Sequence, residues 1–172
     1  MSVKQFTATY SQIEDRITFG FNTSEGELYQ FLLTRAIAKS FLVQSEQISE
    51  QSLGAEHNER SSKLISEFQK EGLKKQLSFD ETFDGGEITP LGNDPILISA
   101  VHLELESEGV RISLTIVSNQ VVGFSVPVVQ LQALALLIEK LAQQALWQIT
   151  TPDDANSSVV PTVLSASSSQ LH

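Results

Sequence analysis

Phe6, Ala8 and Tyr10 alternate with Gln5, Thr7 and Thr9, a period of two that predicts a half-buried strand over residues 5–11. A short turn over residues 11–15 follows, and then Ile17, Phe19 and Phe21 alternate with Arg16, Thr18 and Gly20 in a second strand. Residues 22–26 carry turn chemistry, with Gly26 free to take positive φ, and residues 27–33 return as a third strand with Tyr29, Phe31 and Leu33 on one face. There the period lengthens. Thr34 stands where an N-cap hydroxyl is wanted, and Ile37, Phe41 and Ile48, with Ala38 and Leu42 beside them, make an amphipathic stripe to about residue 49.

The same order recurs further on. Val101, Leu103 and Leu105 oppose His102, Glu104 and Glu106 in a strand over residues 96–106. Ile112, Leu114 and Ile116 face inward from a strand over 111–117, Ser118 and Asn119 turn the chain, and residues 120–126 return. Pro127 suits a helix start, and Leu131, Leu134, Ile138, Leu141 and Ala145 form a stripe widened by Ala135, Leu137 and Ala142. So narrow a polar edge on this helix predicts burial, in the core or at a subunit interface.

Arg16-Ile-Thr-Phe19 lies 95 positions before Arg111-Ile-Ser-Leu114, and that offset also pairs Phe6, Ala8 and Tyr10 with Val101, Leu103 and Leu105. The expected fold is therefore α+β: two β-β-β-α units, an internal pseudo-repeat, forming one antiparallel sheet with helices packed on one side. A single domain is expected over 1–149, with unit one at 5–49, a helical and acidic insert at 50–95, and unit two at 96–148. Within the insert, Leu64, Ile65, Phe68, Leu73 and Leu77 predict an extra helix over 59–77, with Glu59/Lys63 and Glu71/Lys75 as i,i+4 pairs on its surface. Gly85, Gly86, Pro90, Gly92 and Pro95 make residues 78–95 a loop. Residues 150–172 read as a disordered Ser/Thr-rich tail with one apolar island, residues 159–164.

A length of 172 residues is enough for one core of ordinary size, and 41% apolar content is that of a globular chain. Cysteine is absent, which removes disulfides, thiol nucleophiles and thiolate metal sites. The N-terminus has no apolar run of the kind a secretory signal needs, and the longest apolar stretch, 121–147, is broken by polar residues; the expected compartment is the cytoplasm. Net charge is −10, and between residues 76 and 110 there are eight acids and no Lys or Arg. Such a surface repels phosphate backbones, so nucleic acid is not an expected partner, and no membrane association is expected.

Few residues invite chemistry. The histidines are His57, His102 and His172, with His57 in the polar insert and His102 on a wet strand face among carboxylates. No G-x-S-x-G, P-loop or G-x-G-x-x-G occurs. Glu104 and Glu106 share a strand face at a separation of roughly 7 Å, with Glu108 beyond, as on any strand with one solvated side. Asp80, Glu81, Asp84, Glu87 and Asp94 make an acidic loop over 80–94 rich in oxygen ligands for Ca²⁺ or Mg²⁺, though without EF-hand spacing. Arg16 and Arg111 recur on outward faces, where Glu27 or Glu104 could pair with them. Trp147 closes an apolar helix as a packing residue. No catalytic, cofactor-binding or metal-binding residue and no cofactor is assigned on these grounds.

Asp15-Arg-Ile-Thr-Phe-Gly-Phe-Asn-Thr23, Glu27-Leu-Tyr-Gln-Phe-Leu-Leu-Thr-Arg35 and Pro90-Leu-Gly-Asn-Asp-Pro-Ile-Leu97 resemble an uncharacterised bacterial protein family, over roughly residues 8–148. In it a similar hairpin precedes a helix and a second β-rich unit follows; the resemblance implies that architecture and carries no activity. The expected function is a protein-interaction or accessory (assembly) module without catalysis, with a protein partner and homodimerisation favoured by open sheet edges and an apolar helix. Two alternatives stand beside it: a chaperone-like or secretion-accessory dimer, and a ligand-binding or hydrolytic domain with its site between the two units.

Overall fold

The computed structural model describes residues 1–54 and 83–149. Strands β1 (Val3–Ser11), β2 (Arg16–Thr23) and β3 (Leu28–Leu33) lead into helix α1 (Arg35–Gly54). After the insert come β4 (Ile96–Glu106), β5 (Gly109–Ile116), β6 (Val121–Val126) and helix α2 (Val128–Gln144). The fold is α+β. The expected extra helix at 59–77 and the tail at 150–172 lie outside the described residues.

All six strands join one sheet in the order β1-β2-β3-β4-β5-β6. Within each group of three the strands are antiparallel, and turn residues explain the short links. Asp15 and Gly26 take positive φ after β1 and β2, and Gly109 and Asn119 do so in the turns after β4 and β5. A side chain at Gly109 would run into the carbonyl oxygen of Val126.

One expectation is corrected at the join. The sheet is not antiparallel throughout, because β3 and β4 run parallel, paired at Phe31↔Ile96 and Leu32↔Leu97. After β3 the chain leaves through α1 and the insert, a long crossover that returns to the same end of the sheet, and such a connection makes parallel neighbours.

The inner face carries the period-two residues. Ile17, Phe21, Phe31, Ile98, Val110 and Ile112 are each at most 2% exposed. Over them lie Ala38, Phe41, Leu42 and Ile48 of α1 and Leu131, Leu134, Ile138, Leu141 and Ala142 of α2, all in one core. The apolar stripe of α2 is thus covered within the chain. Each large side chain removed from water contributes about 1.5–3 kcal/mol before the entropy of ordering is counted.

Thr34 caps α1 through its Oγ1, which accepts from the Ile37 amide at 3.4 Å. Ser45 and Ser49, buried on the same helix, return their hydroxyl protons to the carbonyls of Phe41 and Ser45 at 2.7 and 2.8 Å.

The sheet curls strongly, as twisted strands must when helices fill one side. Phe6 of β1 lies 6.3 Å from Phe124 of β6 between ring centroids, and Phe21 of β2 lies 4.4 Å from the same ring. The first and last strands of the sheet therefore meet across the core.

Candidate functional site

Strand β4 is 11 residues long, but β3 pairs with only its first two residues before ending at Leu33. From there on, the side of β4 facing away from β5 borders α1. Gln44 of α1 fills part of this edge. Its Nε2 donates to the Val101 carbonyl at 3.0 Å and its Oε1 accepts from the Leu103 amide at 2.9 Å. Ser40, one turn earlier, steadies the amide by accepting from Nε2 at 3.0 Å.

A group that donates to residue i−1 and accepts from residue i+1 bonds as a parallel strand does. Gln44 thus continues by side chain the pairing that β3 begins by backbone. The contact also fixes which way β4 faces. Backbone groups of successive strand residues point to alternate sides, so if Val101 and Leu103 point at α1, Leu105 does too, while His102, Glu104 and Glu106 bond with β5. Among the described residues nothing takes up the Leu103 carbonyl or the Leu105 amide and carbonyl.

Beside these groups runs a groove of about 370 Å³ lined by Gln44, Gln47, Ile48 and Gln51 of α1 and by residues 102–105 of β4. Gln47, Gln51, His102, Glu104 and Leu105 are exposed, whereas Ile48 and Leu103 form a buried floor. The wall is amide-rich and mixed in polarity, and it offers main-chain hydrogen bonds.

Other residues singled out in the sequence are scattered. His102 and Glu104 lie on the outer sheet face at the groove, and Glu106 accepts from the Ser125 hydroxyl at 3.0 Å. Glu104 faces Arg111 in register without forming an ion pair; Arg111 lies instead over Gly123, close enough that a Cβ there would be 3.0 Å from its Nη2. Arg16 begins β2 opposite Ser11, and its strand is not a neighbour of β5, which carries Arg111. Glu27 accepts from the Tyr29 hydroxyl at 3.2 Å; burial, and then the Glu27 charge, hold that phenol above its ordinary range.

The acidic loop is tied down at the end of the first three strands. The Asp84 carboxylate meets Lys4 at 3.5 Å, its amide donates to Gln5 Oε1 at 3.1 Å, and its carbonyl accepts from Asn22 Nδ2. Ile88 bridges to Glu27 by backbone, and Gly86 sits so close to residues 26–28 that only glycine fits. No group of three or more His, Asp or Glu able to hold a metal forms among the described residues. His57, His172, Asp80 and Glu81 lie outside them.

Trp147 does more than pack. Its Nε1 donates to Asp15 Oδ1 at 2.8 Å, the Tyr10 hydroxyl donates to the same oxygen at 2.8 Å, and the two rings meet edge-on at 5.8 Å. Between the halves, a void of about 10 Å³ is lined only by apolar side chains, among them Phe19, Phe41, Ile98, Phe124 and Leu134. A void of that size holds at most one water and, being apolar, stays dry.

Sequence reading missed Gln44 and the groove because a glutamine on the wet side of a helix carries no signal of its own. The one available clue was the mismatch between a six-residue β3 and an eleven-residue β4. Comparison with family models, curated proteins and solved structures finds no match for this chain. No described helix is long and apolar enough to cross a membrane.

Proposed function

We propose that this chain is a protein-interaction or accessory module that acts by binding an extended segment of another protein at the edge of β4 beside α1, without catalysis. The observation that carries the reading is the backbone of Leu103 and Leu105, whose α1-facing groups no described residue bonds, beside a groove of about 370 Å³. Main-chain bonds there supply affinity, and the alternation of Ile48 and Leu105 on one side with Glu104 on the other supplies selection. Cytoplasmic location and the resemblance to a bacterial family belong to the same proposal and add no activity to it. A small-molecule site between the halves draws no support from a void of about 10 Å³.

The internal repeat is part of this reading. Matched element order, and Ile17 and Ile112 at 0% and 1% exposure in corresponding strands, support a duplicated unit. In such a unit β4 is the counterpart of β1, an outer strand. Joining the copies covers only the start of that edge, and the rest becomes the docking edge.

Site-specific photo-cross-linking in cells tests the proposal. A cross-linker at Gln47 captures a discrete partner protein, whereas one at Thr9, exposed on β1, does not. Equal capture at both positions, or none at Gln47, overturns it.

A further inference from the structure

We infer that the partner segment bound at the β4 edge carries a lysine or arginine between two apolar residues, with the cation set beside Glu104. This deepens the reading above and rests on it.

The groove is one-sided in charge. Among its described lining residues Glu104 supplies a carboxylate and none is Lys or Arg. The α1 wall faces it with the neutral amides of Gln44, Gln47 and Gln51. Residues 96–108 add two further acids, Glu106 and Glu108, and no Lys or Arg. Glu106 is engaged elsewhere, because it reaches past β5 to accept from the Ser125 hydroxyl of β6 at 3.0 Å. Glu104 is the acid that remains at the groove.

Its own strand neighbour does not neutralise it. Across the outer face of the sheet one row runs Glu104, Arg111, Ser125. Register offers Arg111 to Glu104, yet the guanidinium lies over Gly123 of β6, on the side of β5 away from β4. A side chain at position 123 would crowd it out of that place. Glu104 is exposed and forms no ion pair among the described residues. With Arg111 drawn to one side, the place for a cation is on the other, beside α1.

Pleating sets the pattern of the occupant. Residues abreast of one another on paired strands share a sheet face, with Cβ atoms about 4.5–5.5 Å apart, whichever way the strands run. The residue abreast of Glu104 therefore points outward beside the carboxylate. Those before and after it point inward, toward the buried floor of Ile48 and Leu103. A cation at the first position and apolar side chains at the other two suit all three surroundings. An acid beside Glu104 meets a like charge, and a second copy is a poor occupant for the same reason: β4 paired with β4 sets Glu104 and Glu106 against their counterparts. The net charge of −10 acts in the same direction at longer range, favouring encounter with basic segments.

Peptide selection on the full chain tests the inference. A displayed library of random heptapeptides is selected against the protein, keeping those whose binding is lost in Q47W, which fills the groove. The expected consensus is an apolar residue, Lys or Arg, and a second apolar residue. In the best such peptide, replacing the cation with Gln weakens binding about two- to fivefold at roughly 0.1 M salt, the range for an exposed pair. E104Q removes that difference, and E104K makes a Glu peptide bind better than the Lys peptide. Both variants change an exposed side chain and keep every backbone bond, and unaltered circular dichroism checks that they fold. A consensus without a cation overturns the inference, as does a preference for Lys that survives E104K, or the absence of any peptide sensitive to Q47W. The two readings fail differently: peptides that bind the groove without a cation leave partner capture at Gln47 intact, whereas failure of the binding reading leaves Gln47 with neither a selected peptide nor a partner adduct.

Discussion

Asp15 is the residue on which the first hairpin and the last helix meet. It ends the β1–β2 turn with a left-handed φ of 50°, a conformation that Asp tolerates better than most residues. The hydrogen bond from Tyr10 and then that from Trp147 hold its carboxyl below the ordinary range, against a smaller opposing effect of burial, and the charge of Arg35 adds a lesser lowering. The same hydrogen bond, with burial and the Asp15 charge, holds the Tyr10 phenol above its ordinary range. The signs are opposite and bracket a window. A lowered carboxyl contributes stability that is complete above its unfolded pKa of about 3.9 and is lost as pH falls through the folded value. A raised phenol contributes stability that is complete below its unfolded pKa of about 10 and is lost as pH rises through the folded value. The latch is therefore whole between those limits. Urea midpoints measured across pH should fall at both ends in the parent protein, and D15A should lower the plateau and flatten the acid limb. D15N, which keeps an acceptor for Trp147 and suits the backbone, should lie between them. An acid limb unchanged in D15A would remove the latch from the account.

Elements in this chain were legible where a period was clean. The strand over residues 96–106 is found at Ile96–Glu106, the third strand at Leu28–Leu33, and the cap at Thr34. What could not be read is how elements join. Alternation within β3 and β4 says which face is buried but nothing about direction, so the parallel pairing came only with the structure. Nor does local sequence mark Gln44, whose role depends on a strand 57 positions away. The burial of α2 was legible as a need, and the choice between core and subunit interface fell to the core. Gln44 supplies the prediction at this scale. Q44A leaves the Val101 carbonyl and Leu103 amide to water that enters by the groove, so the cost is about 1 kcal/mol rather than a full buried penalty. Amide exchange at Leu103 should accelerate selectively, with Ser113 and Arg111 of β5 unaffected. Q44E keeps the acceptor for Leu103 but sets a carboxylate against the Val101 carbonyl, and should restore protection at Leu103 without restoring stability. Equal exchange in Q44A and the parent would mean that the edge is covered by something other than this side chain.

At the scale of the whole molecule, only two residue pairs of backbone ladder join β3 to β4, so the two halves must be held together chiefly by side chains. Aromatic rings do much of this. Phe124 from the second half stands 4.4 Å from Phe21 and 6.3 Å from Phe6 in the first, and Phe21 in turn stacks on Tyr29 at 5.0 Å. Trp147, at the end of α2, is pinned to Tyr10 and Asp15. If these contacts carry the joint, F124A costs about 3–5 kcal/mol, as large aromatic truncations in close-packed cores do. A double-mutant cycle of F124A with F21A should return a coupling of about 0.5–1.5 kcal/mol, the range for aromatic pairs in contact. The decisive readout is cooperativity. Far-UV circular dichroism follows both halves, whereas Trp147 fluorescence follows the seam between the end of α2 and the first hairpin. One coincident transition in the parent is the signature of a single folding unit. In F124A the fluorescence transition should move to lower denaturant along with the dichroism if the seam and the core melt together. Two separated transitions in the parent protein would mean that each β-β-β-α unit stands alone, and the edge of β4 beside α1 would then be one side of a cleft between independent bodies instead of a fixed groove.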